Sequence, residues 1–225
     1  MTSAAGKAKR GRSKIEGRLA STDPALGRVI DAVIARIGPQ RIASSRATPF
    51  EALVRAIVYQ SVSGKAAASI FARLKESVDG SLTPAKILAL PPPTLRKTGL
   101  STAKAQSIRS LAVWFTSHRK LASALPTLAD DEVVEAVGAI PGIGPWTVNV
   151  FLIFNLGRLD VMPAADLGIR RGVQLTDGLN SVATPKQVLE RSQAWRPFRS
   201  IASIYLWQAT KLKLGPNDLN QGEEQ

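Results

Sequence analysis

Apolar residues recur along this chain at helical rather than strand spacing. Leu26, Val29, Ile30, Val33, Ile34 and Ile37 share one face of a helix that Gly38 would end. Similar faces follow at Phe50/Leu53/Ile57, Ile70/Leu74/Val78 and Ile108/Leu111/Phe115. No stretch alternates convincingly with period two, so the pattern predicts an all-α protein of about nine or ten helices. Helix starts are marked as well: in Asp23-Pro24, Thr48-Pro49, Thr83-Pro84 and Thr184-Pro185 a capping side chain directly precedes a proline, whose missing N–H is no loss in a first turn. Thr48 with Glu51 and Thr184 with Gln187 have the spacing of a capping box. Leu90-Pro91-Pro92-Pro93 and Lys97-Thr98-Gly99 interrupt the pattern near the middle, yet both sides stay helical. The expected arrangement is two helical lobes with a ligand cleft between them, residues near both termini completing one lobe.

The ends differ from the rest. Residues 1–20 carry six Lys or Arg against Glu16 alone and show no apolar period, which predicts a disordered basic tail able to hold phosphates nonspecifically. A folded domain is expected over residues 21–216 and a flexible C-terminal tail over 217–225. Thirty Lys plus Arg against 17 Asp plus Glu give a net charge of +13, which points to a polyanionic partner, nucleic acid first and anionic membrane second. No apolar run is long enough to span a bilayer, the best being Trp146 to Leu156, and residues 1–20 lack the apolar centre of a secretory signal. The absence of cysteine excludes disulfides, zinc thiolate sites and thiolate-held iron–sulfur clusters. A single histidine, His118, cannot anchor the zinc of a nucleobase deaminase, and its Ser-His-Arg-Lys setting reads as solvated.

The most informative segment is Ile140-Pro141-Gly142-Ile143-Gly144-Pro145-Trp146-Thr147. Asp130 to Val137 reads as a short helix before it, and Pro145 opens a second helix that runs to about Asn155 and stops at Gly157. Two glycines in a tight link leave backbone N–H groups uncovered, and the following helix adds its positive end, which suits a DNA phosphate. Ile143 would anchor the hairpin by pointing inward. An ordinary connection between helices would carry the same residues, so the turn alone leaves both readings open. The second helix is apolar nearly all round and is expected in the core, a rigid mount for the hairpin.

Downstream, Pro163-Ala164-Ala165-Asp166-Leu167-Gly168 places Asp166 where it can cap the next helix. Capping would account for it fully. The same position favours a negative charge, which is what stabilising a cationic sugar requires.

Taken together these blocks resemble the helix-hairpin-helix DNA glycosylases that carry a Gly/Pro-rich loop and an essential Asp (HhH-GPD), specifically the 3-methyladenine DNA glycosylase II type. The resemblance spans roughly Pro24 to Leu214. The hairpin matches the family's L-P-G-I-G pattern, and Asp166 follows Gly144 by 22 residues, the spacing to the family's catalytic Asp. Val54 to Gln60, Gly99-Leu100-Ser101 with Lys104-Ala105, and Trp195 to Ser200 with Leu206-Trp207 support it. The resemblance implies a monofunctional enzyme of base excision repair that flips alkylated purines such as 3-methyladenine out of duplex DNA and hydrolyses the N-glycosidic bond with Asp166. Bifunctional relatives carry a Schiff-base Lys where this chain has Trp146, so strand cleavage is not expected. Trp146 and Trp207, and more weakly Tyr205, are candidates for stacking on the flipped base.

DNA contacts are expected from Gly142, Ile143, Gly144 and Thr147 of the hairpin and from Gln60, Ser61 and Val62. Ser61 stands where relatives often carry a bulkier wedge into the base stack, which leaves Gln60 and Val62 as local candidates. The family hairpin often holds a monovalent cation through backbone carbonyls, here around Gly138, Ile140 and Ile143. No organic cofactor is implied. The partner is double-stranded DNA, not a membrane, and the protein is expected to act as a monomer in the cytoplasm, at the bacterial nucleoid, or in a nucleus, and not to be secreted. Two other readings stay open: a non-catalytic hairpin module that binds damaged DNA, and a glycosylase for oxidised or deaminated bases.

Overall fold

A computed structural model describes residues 11–42, 45 and 47–219. Among these residues there are fourteen α-helices, a short 3-10 turn over Ser192–Trp195 and no strand. In chain order the helices are α1 (Lys14–Thr22), α2 (Pro24–Ile37), α3 (Pro49–Tyr59), α4 (Gly64–Glu76), α5 (Pro84–Ala89), α6 (Pro92–Lys97) and α7 (Thr102–Ser117). They continue as α8 (Arg119–Ala124), α9 (Asp130–Gly138), α10 (Pro145–Phe154), α11 (Leu167–Asp177), α12 (Pro185–Arg191), α13 (Arg199–Lys211) and α14 (Pro216–Leu219). The excess over nine or ten comes from single-turn and two-turn helices, too short for a periodic face to register. Among the described residues no helix is long and apolar enough to cross a membrane.

All four proline-marked starts form. Asp23, Thr48, Thr83 and Thr184 each cap a helix whose first residue is proline, their side chains accepting from Leu26, Glu51, Lys86 and Gln187 N–H. Only one of the two expected capping boxes closes. Gln187 reaches back to the Thr184 N–H at 2.8 Å, whereas the Glu51 carboxylate turns aside to pair with Lys75 at 2.9 Å. An ammonium within reach outcompetes a backbone donor for that carboxylate.

The chain divides into two units, residues 43–157 and residues 1–42 with 158–225. In the first, α3 packs against α4, α7 and α10, with α9 laid on α10. Val148, Phe151, Leu152 and Ile153 of α10 are buried, but Phe154 is 36% exposed and Trp146 half-buried, so the apolar helix is not covered all round as expected. In the second unit α13 lies against α11 and α2. Gly172 makes the α11–α13 approach: a Cβ there would stand 2.7 Å from the Leu206 Cβ.

Part of the expected basic tail is folded. Ser13 and Glu16 form a capping box at the start of α1, and α1 packs on α2 with Leu19 and Ala20 buried. The Glu16 carboxylate is buried, accepting from the Tyr205 hydroxyl. The helix is short and mostly polar outside that face, so its apolar contacts leave no period to read. Residues 1–10 of that tail lie outside the described residues. The expected C-terminal tail also needs correction: 217–219 belong to α14, Leu219 is buried, and Asp218 pairs with Arg36. Residues 220–225 lie outside the described residues.

Asp23 ties several elements of this unit together. Its carboxylate accepts from Leu26 N–H, from Trp195 Nε1 at 2.6 Å and from Arg191 at 2.6 Å. Burial alone would raise the Asp23 carboxyl, but the Arg191, Trp195 and Leu26 donors hold it below its ordinary 3.8.

Candidate active site and candidate DNA-binding hairpin

The hairpin between α9 and α10 is built by its glycines. Gly142 has φ +86°, and a Cβ there would fall 1.7 Å from the Ser107 Oγ of α7, so both backbone and space require glycine. Gly144 caps α10 at φ −90°, with nothing within 4 Å of an added Cβ. Pro141 and Gly142 are exposed, while Ile143 is buried as the sequence implied, its N–H donating to the Ile140 carbonyl at 3.0 Å.

Thr147 is not available as the expected DNA contact. It is buried, its N–H donates to the Gly144 carbonyl, and its Oγ1 accepts from Gln60 Nε2 at 2.7 Å. The same Nε2 lies 3.2 Å from the Gly142 carbonyl, so the Gln60 side chain holds the hairpin instead of projecting as a wedge. Beyond it, Ser61 has φ 54° and Val62 is 39% exposed. Lys104 on α7 secures this turn from behind, its Nζ donating to the carbonyls of Val58 at 2.9 Å and Gln60 at 2.6 Å. Burial pushes the Lys104 ammonium below its ordinary value. The partners of Lys104 and Gln60 are not legible in the sequence, because they lie far away along the chain.

To a cation this turn offers only backbone carbonyls, because Gly138, Ile140 and Ile143 have no polar side chain. Ile140 retains a lone pair beside the bond from Ile143, and neutral oxygen donors of this kind fit a monovalent ion. Among the described residues no group of three or more His, Cys, Asp or Glu could hold a metal.

The carboxylate lies in the other unit. Asp166 caps α11, its Oδ1 accepting from Ile169 N–H at 2.9 Å and from the Trp207 indole Nε1 at 2.8 Å. It is half-buried between exposed Ala165 and Leu167, and Trp207 is likewise half-buried. A Cβ on Gly168 would stand 3.0 Å from both Asp166 Oδ1 and Trp207 Cδ1, so the pair closes over a position that only glycine fills without displacement. A glycine in a first helical turn, where it weakens the helix, was the sequence signal for that approach.

Tyr205 cannot stack on a base as expected. It is fully buried, its hydroxyl donating to Glu16 and accepting from Gln40 N–H at 2.9 Å. Two residues before Trp207 on α13, it points to the opposite side of the helix, into the core. Asp160, the nearest other carboxylate in sequence, is taken up by Arg199 at 2.7 Å and Arg196 at 3.1 Å. Trp146 is the second residue of α10, in the unit that carries the hairpin.

A glycine-built hairpin on an all-α scaffold, with a capped carboxylate on a later helix, defines a class. Residues 54–197 match the HhH-GPD superfamily of base excision DNA repair proteins, and the chain belongs to that superfamily. It is 38% identical over 172 residues to DNA-3-methyladenine glycosylase 1 of Schizosaccharomyces pombe, covering 73% of each chain. It is 30% identical over 171 residues to DNA-3-methyladenine glycosylase 2 of Escherichia coli, covering 70% of this chain and 56% of that one. Among solved structures it superposes with TM-score 0.78 on the S. pombe 3-methyladenine DNA glycosylase in complex with abasic DNA, at 35% identity, covering 88% of this chain and 97% of the other. A DNA-3-methyladenine glycosidase of Bacillus halodurans gives TM-score 0.74 at 31% identity, covering 91% and 93%.

Proposed function

We propose that this protein is a monofunctional DNA glycosylase that removes alkylated purines such as 3-methyladenine from double-stranded DNA. The observation that carries the reading is Asp166, a helix-capping carboxylate fixed by Trp207 Nε1 beside an exposed helix start. A cap needs neither an indole donor nor the Gly168 that makes room for one. A site that must present negative charge in one orientation needs both.

The hairpin holds phosphates without reading sequence, and a monovalent cation at the Gly138, Ile140 and Ile143 carbonyls would supply positive charge there. The target nucleotide must rotate out of the stack, at a cost of a few kcal/mol that damage lowers. A purine alkylated at a ring nitrogen such as N3 carries positive charge while it is bonded to the sugar, which an aromatic face attracts when water is excluded. Trp207 offers such a face beside Asp166, and Trp146 is the second candidate. The N-glycosidic bond breaks with its electron pair leaving on the base, so the cationic purine departs neutral. Positive charge then spreads over C1′ and the ring oxygen of the sugar. The Asp166 carboxylate stabilises that oxocarbenium-like centre, orients the water that adds at C1′ and accepts the proton that the water gives up. With Trp146 in place of an amine, no Schiff base forms and the strand stays intact.

The test is single-turnover release from duplexes that each hold one lesion. The expected result is release of 3-methyladenine without added metal, an unbroken strand until heat or alkali is applied, and no adduct trapped by borohydride. Release confined to oxidised or deaminated bases, or binding with no release, would overturn the reading.

A further inference from the structure

The turn that ends α3 and the hairpin that opens α10 share one clasp. Gln60 caps the C-terminus of α3 and donates to Gly142 O and Thr147 Oγ1 of the hairpin. Behind it Lys104 holds the Val58 and Gln60 carbonyls. Ser107, on the same helix as Lys104, closes against Gly142. The segment beyond the clasp is short and set: Ser61 takes a left-handed conformation, unusual for a residue with a side chain, and exposed Val62 follows before Ser63 caps α4. An apolar side chain is suited to enter a base step, and one as short as valine reaches it only if its base of attachment is correctly placed.

We propose that Gln60 and Lys104 are positioning residues, holding Val62 at a fixed reach from the hairpin so that the phosphate gripped at Gly142–Gly144 sets where Val62 enters the stack. This rests on the glycosylase reading above. The clasp belongs wholly to one unit, and Thr147, one of its acceptors, is buried. Its loss should leave the phosphate grip and impair flipping.

The variants are Gln60→Met, which keeps length and loses the donor, and Thr147→Val, which keeps shape and loses the acceptor. Thr147→Ser keeps the acceptor. At saturating methylated duplex, Q60M and T147V should each slow single-turnover release about tenfold, with affinity for undamaged duplex within about twofold of wild type. Because Q60M removes the bond to Thr147 Oγ1 that T147V also removes, and the one to Gly142 O besides, the double variant should be no slower than Q60M, and T147S should release normally. A 2-aminopurine beside an abasic analogue should lose its protein-induced fluorescence rise in Q60M and in V62A alike. Additive losses, a slow T147S, or an unchanged fluorescence rise in Q60M would overturn the proposal. Failure of the wild type to release any base would instead refute the glycosylase reading, while the abasic duplex would still report on the clasp.

Discussion

The indole N–H of Trp207 donates to Asp166 Oδ1 at 2.8 Å, the same oxygen that accepts from the start of α11. One oxygen thus receives two donors fixed by two different helices, which orients the carboxylate. Trp207→Phe keeps an aromatic face and removes the donor. It should slow single-turnover release about tenfold, and D166N/W207F should be no slower than D166N alone, since the donor acts through the carboxylate. A W207F rate equal to wild type would show that the bond does no catalytic positioning.

The two hairpin glycines should respond differently. Gly144→Ala meets open space at an ordinary φ, so stability should stay within about 0.5 kcal/mol while DNA affinity falls several-fold as a methyl group obstructs phosphate approach. Gly142→Ala faces both a positive φ and Ser107, and should cost about 2 kcal/mol or more in stability. Chemical denaturation and salt-dependent binding curves separate the two. Equal destabilisation by both, or undiminished binding by G144A, would contradict the hairpin's assignment.

What the sequence disclosed follows from what is local. Proline after a capping residue located four helix starts because cap and first turn are adjacent in the chain. Asp166 was legible as a cap for the same reason, and Ile143 as an inward anchor. Its Trp207 partner is 41 residues away and could not be read from spacing. Tyr205 and Thr147 are buried against expectation because burial depends on what packs against a helix: Tyr205 meets Glu16, from a segment expected to be disordered, and Thr147 meets Gln60. A six-cation stretch with Glu16 among it resembles a solvated tail unless the buried hydroxyl opposite is known.

The folded state of α1 makes its own prediction. Leu19 is 2% exposed within the core cluster, so Leu19→Ala should destabilise the protein by about 2 to 5 kcal/mol. Thermal melts would check it, and release measured well below the transition should be unaffected. A melting temperature equal to wild type would mean that α1 does not pack there in solution.

The central claim is that the charge of Asp166 does chemistry beyond capping. Asn keeps an oxygen able to accept from both Ile169 N–H and Trp207 Nε1, so Asp166→Asn should stay folded, with at most about 1 kcal/mol lost. The deciding measurement is single-turnover release of 3-methyladenine by D166N at saturating duplex, beside its melting temperature. The account predicts a fall by a factor on the order of 100 to 1,000, the scale for losing one preorganised electrostatic group, with lesion binding kept or tightened. Near-normal release from a folded D166N would contradict it and leave Asp166 as a helix cap alone.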